Sequence, residues 1–224
     1  YLQARKVRIM SNILKATKLD FSLVRPYAKV IGFTMLLPIA FAAINRSILT
    51  GVSFAMCFIA MTTGYTFSVT EKNSMDRLYG ILPIKKSEMV TGRYLFVLAL
   101  GALALVVSLI TQPIVLRAMG ENVGTLDMIS AAIGGLFLFA LYTVFQIPGY
   151  YKYGVIKGRV FMYIPVAGFL ATLFFLPKMP ADNPIVITVV SSPVLLIGLV
   201  LVLVVFMYVV SIWFSIRIME NKEM

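Results

Sequence analysis

The stretch Tyr94–Leu116, YLFVLALGALALVVSLITQPIVL, decides the fold. It runs for 23 residues without a charged side chain. A helix rises about 1.5 Å per residue, so this run is long enough to cross a bilayer core about 30 Å thick. Lipid offers the backbone no hydrogen-bond partner, which restricts spanning structures to helices and closed barrels. A barrel strand would alternate apolar and polar residues over about ten positions, and this run does not. Five further apolar stretches lie on either side of it: Val30–Ile44, Gly51–Thr70, Met128–Gly149, Val160–Leu176 and Pro193–Ile216. The first is short unless Pro26–Lys29 joins its entry turn, and the last is long enough to tilt or project. The sequence predicts an all-α membrane protein of six transmembrane helices.

Composition agrees. Of 224 residues, 60% are hydrophobic and 13% charged, against about 45–50% and about 25% in an ordinary soluble domain. The net charge of +11 would point to nucleic acid in a soluble protein. In a membrane protein it reflects basic residues held on the cytoplasmic side. All but three of the Lys and Arg residues fall before the first stretch, after the second, after the fourth or after the sixth; the exceptions are Arg46, Arg117 and Lys178. Both termini are therefore expected in the cytoplasm, which requires an even number of spans. Residues 1–9 read as a tag or linker scar before Met10, leaving 10–224 as one transmembrane domain. Cys57 is the only cysteine, so no internal disulfide can form.

The chain lacks histidine altogether, which excludes zinc proteases of the HExxH type, Ser-His triads and histidine relays. The interiors of the second to sixth spans hold no Asp, Glu, Lys or Arg, the usual markers of ion-coupled transport. No phosphate-binding GxxxxGK[ST] loop is present. The chain is expected to have no catalytic, cofactor or metal site, so any uphill movement draws energy from another polypeptide.

Several positions interrupt the spans: Gln112 with Pro113, Gln146 with Pro148 and Gly149, and Pro165. They read either as packing and helix termination or, for Gln112, Pro113, Gln146 and Pro148, as a translocation path or hinge. Gly64, Gly101, Ala102, Gly134 and Gly135 are small enough to let helices approach closely. Lys178–Ser192 reads as an interfacial or re-entrant segment, or as an extension of the last helix broken at Pro193.

Two basic segments carry more information. Ser11–Lys29, SNILKATKLDFSLVRPYAK, mixes Leu14, Leu19, Phe21 and Val24 with Lys15, Lys18 and Arg25, which suits an amphipathic helix lying at the inner membrane surface. Glu71–Arg93, EKNSMDRLYGILPIKKSEMVTGR, is longer than a plain hairpin needs. It predicts a short amphipathic helix stopped near Gly80 and Pro83, then a helix capped by Ser87 with Glu88 in its first turn. Leu78, Tyr79, Ile81 and Leu82 have no obvious burial site in a solvated loop. They could lie on lipid or enter a groove on a partner.

The segment Glu71–Tyr94, following one span and leading into the next, resembles ABC-2 type permeases, the transmembrane subunits of bacterial ATP-binding-cassette exporters. More narrowly it resembles six-span permeases that export phenol-soluble modulins or confer lantibiotic immunity. The resemblance implies a coupling helix between the second and third spans that docks in a cytoplasmic ATPase, through Glu71, Asp76, Arg77, Leu78, Tyr79, Ile81 and Leu82. It implies ATP and magnesium on that partner, a second permease copy or paralogue, a hydrophobic or amphipathic peptide as substrate, and residence in the bacterial cell membrane. Two other readings stand beside it: a membrane scaffold or sensor that does not transport, and the substrate-binding membrane component of a vitamin importer.

Overall fold

The computed structural model describes residues 2–73, 75, 84–168 and 193–221. All regular structure among them is helical. Helix α1 (Leu2–Val24) passes through a 3-10 turn at Arg25–Tyr27, which holds Pro26, into α2 (Ala28–Thr34) and α3 (Leu36–Asn45). Pro38 in the first turn of α3 cannot donate its backbone nitrogen, and α2 and α3 meet at a bend at Met35. Then follow α4 (Ile48–Lys72), α5 (Lys86–Ala118), α6 (Thr125–Gly158), a second 3-10 turn at Arg159–Met162, and α7 (Pro193–Glu220).

Five helical stretches among the described residues are long and apolar enough to cross a membrane: Ile9–Asn45, Ile48–Lys72, Lys86–Ala118, Thr125–Gly168 and Ile197–Glu220. They contain the first four expected spans and most of the sixth. The expected span Val160–Leu176 is described only as far as residue 168, and Lys178–Ser192 lies outside the described residues.

Helices α4, α6, α7 and α5 form a ring in which each packs on the next, with α3 laid against α4 and α5, and α1 against α5. Gly101 and Gly135 permit close helix contact as expected: a Cβ would strike the Phe139 ring at the first and the Val52 and Met56 side chains at the second. Ala102, by contrast, faces outward. Large apolar side chains also face outward, including Leu103, Val106, Ile110 and Ile114 on α5 and Val202, Val205, Phe206 and Val209 on α7. Buried positions hold Thr62, Thr63, Thr66, Thr143, Gln146, Ser211 and Ser215. Polar residues inside and apolar residues outside is the arrangement lipid selects, because helix association there relies on packing and interhelical hydrogen bonds.

The fourth span does not terminate at Pro148 and Gly149; the helix runs on to Tyr153. The reason lies on a neighbouring helix. Proline at 148 cannot bond the carbonyl of Val144, four residues earlier, and the Ser211 hydroxyl on α7 donates to that carbonyl at 2.8 Å. The break comes instead at Gly154, with φ 75° and ψ −179°, a conformation nearly confined to glycine. The chain then folds back on itself. Phe161 packs on Gly149 and stacks with Tyr153 at 5.5 Å between ring centroids, and Gly158 meets Tyr150 and the Gly149 backbone.

The Ser211 contact yields a prediction. Ser211→Ala strands the Val144 carbonyl and removes one partner of Tyr94, so it should destabilise the chain by about 0.5–2 kcal/mol. Thermal unfolding in detergent measures it, and Ser211→Thr, which keeps the hydroxyl, should retain most of the stability.

Candidate functional site

The described basic residues predicted to share one side of the membrane lie on and just after α1, at the end of α4, the start of α5 and the end of α6, with Arg217 at the end of α7. Arg46 lies at the opposite end, in an exposed pair with Glu121 at 3.3 Å, a contact of small energetic weight.

The basic end is built on the first two turns of α5. Its N-cap is Lys85, in extended conformation, rather than Ser87. The Glu88 carboxylate settles this: it reaches back to accept the Lys85 N–H at 3.3 Å and also accepts the Asn12 side-chain amide of α1 at 2.9 Å. A carboxylate three residues into a helix satisfies a backbone donor that would otherwise lack a partner, so the helix starts before Ser87.

Helix α1 lies along this part of α5. Its inner face carries Ala16, Thr17, Asp20 and Val24, all buried. The Thr17 hydroxyl donates to the Gly92 carbonyl at 3.0 Å, and a Cβ on Gly92 would collide with Ala16. Phe21 meets Phe96 edge-on at 4.8 Å. The outer face exposes Met10, Leu14 and Phe21 together with Lys15, Lys18 and Arg25, the mixture expected of an amphipathic basic helix.

At the centre stands Arg93. Its Nε and Nη2 donate to the two carboxylate oxygens of Asp20 at 3.2 and 3.0 Å, and Nη2 also donates to the Thr70 hydroxyl at 3.3 Å. The guanidinium sits 4.5 Å above the Phe67 ring and 5.9 Å from that of Tyr151. Asp20 is 3% exposed and Arg93 5%. Reading the sequence missed this pair. One signal was available: Asp20 is the only acidic residue before Glu71.

Glu71 is exposed at the end of α4, and its carboxylate accepts the Val155 N–H at 2.9 Å. It thus caps the short helical segment that restarts after the Gly154 break. The resemblance implies a docking role for Glu71; among the described residues its carboxylate bonds α6. Asp76, Arg77, Leu78, Tyr79, Ile81 and Leu82 lie outside the described residues.

The four candidate path residues are placed separately. Gln146 is fully buried, accepting from Thr63 at 3.1 Å and donating to the Tyr150 hydroxyl at 2.6 Å. Pro148 is half-buried, six residues and nearly two turns before the Gly154 break. Gln112 and Pro113 are buried on α5, with Gln112 against Gly51 and Ala42 and its amide without a partner among the described residues. A second polar cluster, also unread in the sequence, joins α5, α6 and α7. Tyr94 bonds Ser211 and Ser215 at 2.6 and 2.9 Å, and Tyr208 bonds Thr143 at 2.7 Å.

These features define a multi-pass helical membrane protein whose polar groups are mostly spent on holding its own helices together. A family model described as ABC-2 family transporter protein matches residues 17–220, and the chain belongs to that family. No curated protein and no solved structure matches it. Membership makes the chain a membrane component of an ABC transporter, without a catalytic site of its own, and implies an ATP-binding-cassette partner.

The Glu71 contact can be checked directly. Glu71→Ala removes the charge-assisted bond to Val155, and the amide protons of 155–158 should exchange about tenfold faster, equivalent to about 1.4 kcal/mol. Hydrogen exchange read by mass spectrometry should show no comparable change in the middle of α5.

Proposed function

We propose that this chain is the transmembrane subunit of an ATP-driven exporter, moving a hydrophobic or amphipathic peptide outward across the bacterial cell membrane. Both termini and the basic end face the cytoplasm. A separate ATPase holds ATP and magnesium and docks on the segment between α4 and α5, through Asp76, Arg77, Leu78, Tyr79, Ile81 and Leu82 with Glu71 at its edge. A second permease, identical or similar, completes the pathway.

The observation that carries this reading is the segment 71–93. Family membership brings an ATPase partner, and this is the basic loop whose apolar side chains need a surface to cover them. Exposed charge pairs contribute roughly 0–1 kcal/mol, so the leucines, Ile81 and Tyr79 supply most of the docking affinity and the charges set its register. The substrate class follows from the spans. Charge-free spans suit an amphipathic peptide better than an ion or a sugar.

The test replaces Leu78 and Leu82 with Asp together. Each lost apolar contact is worth about 1.5–3 kcal/mol, and a buried charge costs more, so binding of the ATPase should fall by at least about 100-fold. Permease-stimulated ATP hydrolysis in proteoliposomes should be lost, while the variant remains folded and membrane-inserted. Stimulation at the native level in the double variant would refute the docking assignment.

A further inference from the structure

Arg93 is the one described side chain at the basic end that engages three other long helices: Asp20 on α1, Thr70 and Phe67 on α4, and Tyr151 on α6. It also closes a loop. Thr70 directly precedes Glu71, and Arg93 ends the segment that begins there, so their 3.3 Å bond ties the two stems of the 71–93 segment to each other. Glu71, at the first stem, holds the Val155 N–H just beyond the Gly154 break. Displacement of the middle of the segment therefore loads these contacts, together with the bond from Asn12 to Glu88, which lies within it.

Such a pair is a poor device for stability alone. Desolvation of a buried carboxylate and guanidinium offsets most of their attraction, and a well-packed apolar replacement often does as well. A guanidinium does differ from an apolar side chain in direction: its planar, rigid fork of donors fixes the angle as well as the distance of its partners. Here the fork spans two helices, and aromatic rings from α4 and α6 border it. Around it, Thr17 on Gly92, Asn12 on Glu88 and the Ala16–Gly92 approach fasten α1 to α5 along its inner face. Nothing in this set lets α1 slide along α5 without breaking the ion pair.

We propose that Arg93 is a positioning residue for transport: by holding Asp20, Thr70 and the Tyr151 ring of α6 together, it makes α1, α4 and α6 move as one body when the 71–93 segment is displaced. The proposal rests on the exporter reading above. It separates two properties that a docking residue would mix. Binding of the ATPase belongs to the segment's apolar side chains; passing its motion to the helices belongs to Arg93.

The experiment titrates the reconstituted full chain against its ATPase and reads maximal stimulated hydrolysis and half-saturating permease concentration separately. Arg93→Lys keeps the charge but loses the fork, and Asp20→Asn keeps the shape but loses the charge. Both should lower the maximal rate by at least about fivefold with half-saturation within about twofold of the native value, and the exchange Asp20→Arg with Arg93→Asp should recover part of it. Thr70→Val, which spares the ion pair, gives a milder loss of the same kind. A native maximal rate in Arg93→Lys, or a change confined to half-saturation, overturns the proposal. A second arm needs no ATPase. In a Cys57→Ser background, spin labels at exposed Leu14 on α1 and Ile156 beyond the α6 break report their separation in lipid vesicles. The native distance should be narrow, broadened by Arg93→Lys and sharpened again by the charge exchange; a distribution unaffected by Arg93→Lys rejects the junction. If the native chain stimulates no ATPase, the exporter reading fails while the label distances still judge the junction.

Discussion

A polar group carried into lipid must find its partner within the protein, because the solvent supplies none. This constraint accounts for most of the architecture. The ring of α4, α6, α7 and α5 turns leucine, valine and phenylalanine outward and encloses hydroxyls and amides that bond one another. Pro148 shows how strict the accounting is. The carbonyl its ring leaves without a donor belongs to Val144, and a serine on another helix supplies the missing hydrogen, so the helix continues where a proline would otherwise end it. Thr62, Thr66 and Thr70 satisfy themselves locally by donating to carbonyls one turn back on α4, and Thr63 shares its one proton between the Ala60 carbonyl and Gln146. Gln112, lodged against Gly51 and Ala42, stands outside this pattern.

At the basic end the same constraint is met with charge rather than with neutral hydroxyls. Asp20 and Arg93 are withdrawn from water together, bordered by aromatic rings, and satisfied by two direct bonds and a threonine. Neutral pairs such as Thr143 with Tyr208 tolerate small rotations, whereas a two-point carboxylate–guanidinium contact holds an angle. Among the described residues, the end of the bundle next to the 71–93 segment thus holds a directional junction. The reversal at Gly154, capped by Glu71, adds a second contact from the same segment to α6. In the proposed exporter, such continuity is what would let motion received at the 71–93 segment reach the helices.

The first four expected spans and most of the sixth were legible because they depend on length and apolar continuity, properties local to each stretch. The amphipathic character of α1 was legible for the same reason, although only packing shows which of its faces meets α5. The helix start at α5 was misplaced by two residues: Ser87 is a good cap in isolation, yet Glu88 reaches the Lys85 N–H and moves the boundary. The end of the fourth span was misplaced because proline's effect was judged from its own helix, while its compensation comes from Ser211, 63 positions later.

What the sequence alone determined is the class of the molecule: a helical membrane chain with a loop resembling that of ABC-2 permeases, a family whose membrane component lacks its own catalytic site. These follow from composition, run length and a contiguous motif, none of which requires knowing what touches what. Only the tertiary structure decided that Asp20 belongs to Arg93, Glu71 to Val155, Gln146 to Thr63 and Tyr94 to Ser211. Those partners lie on different helices, far apart along the chain. Hydrophobic periodicity can report which side of a helix is buried, but the choice among many candidate partners is made by the packing of the helices against one another.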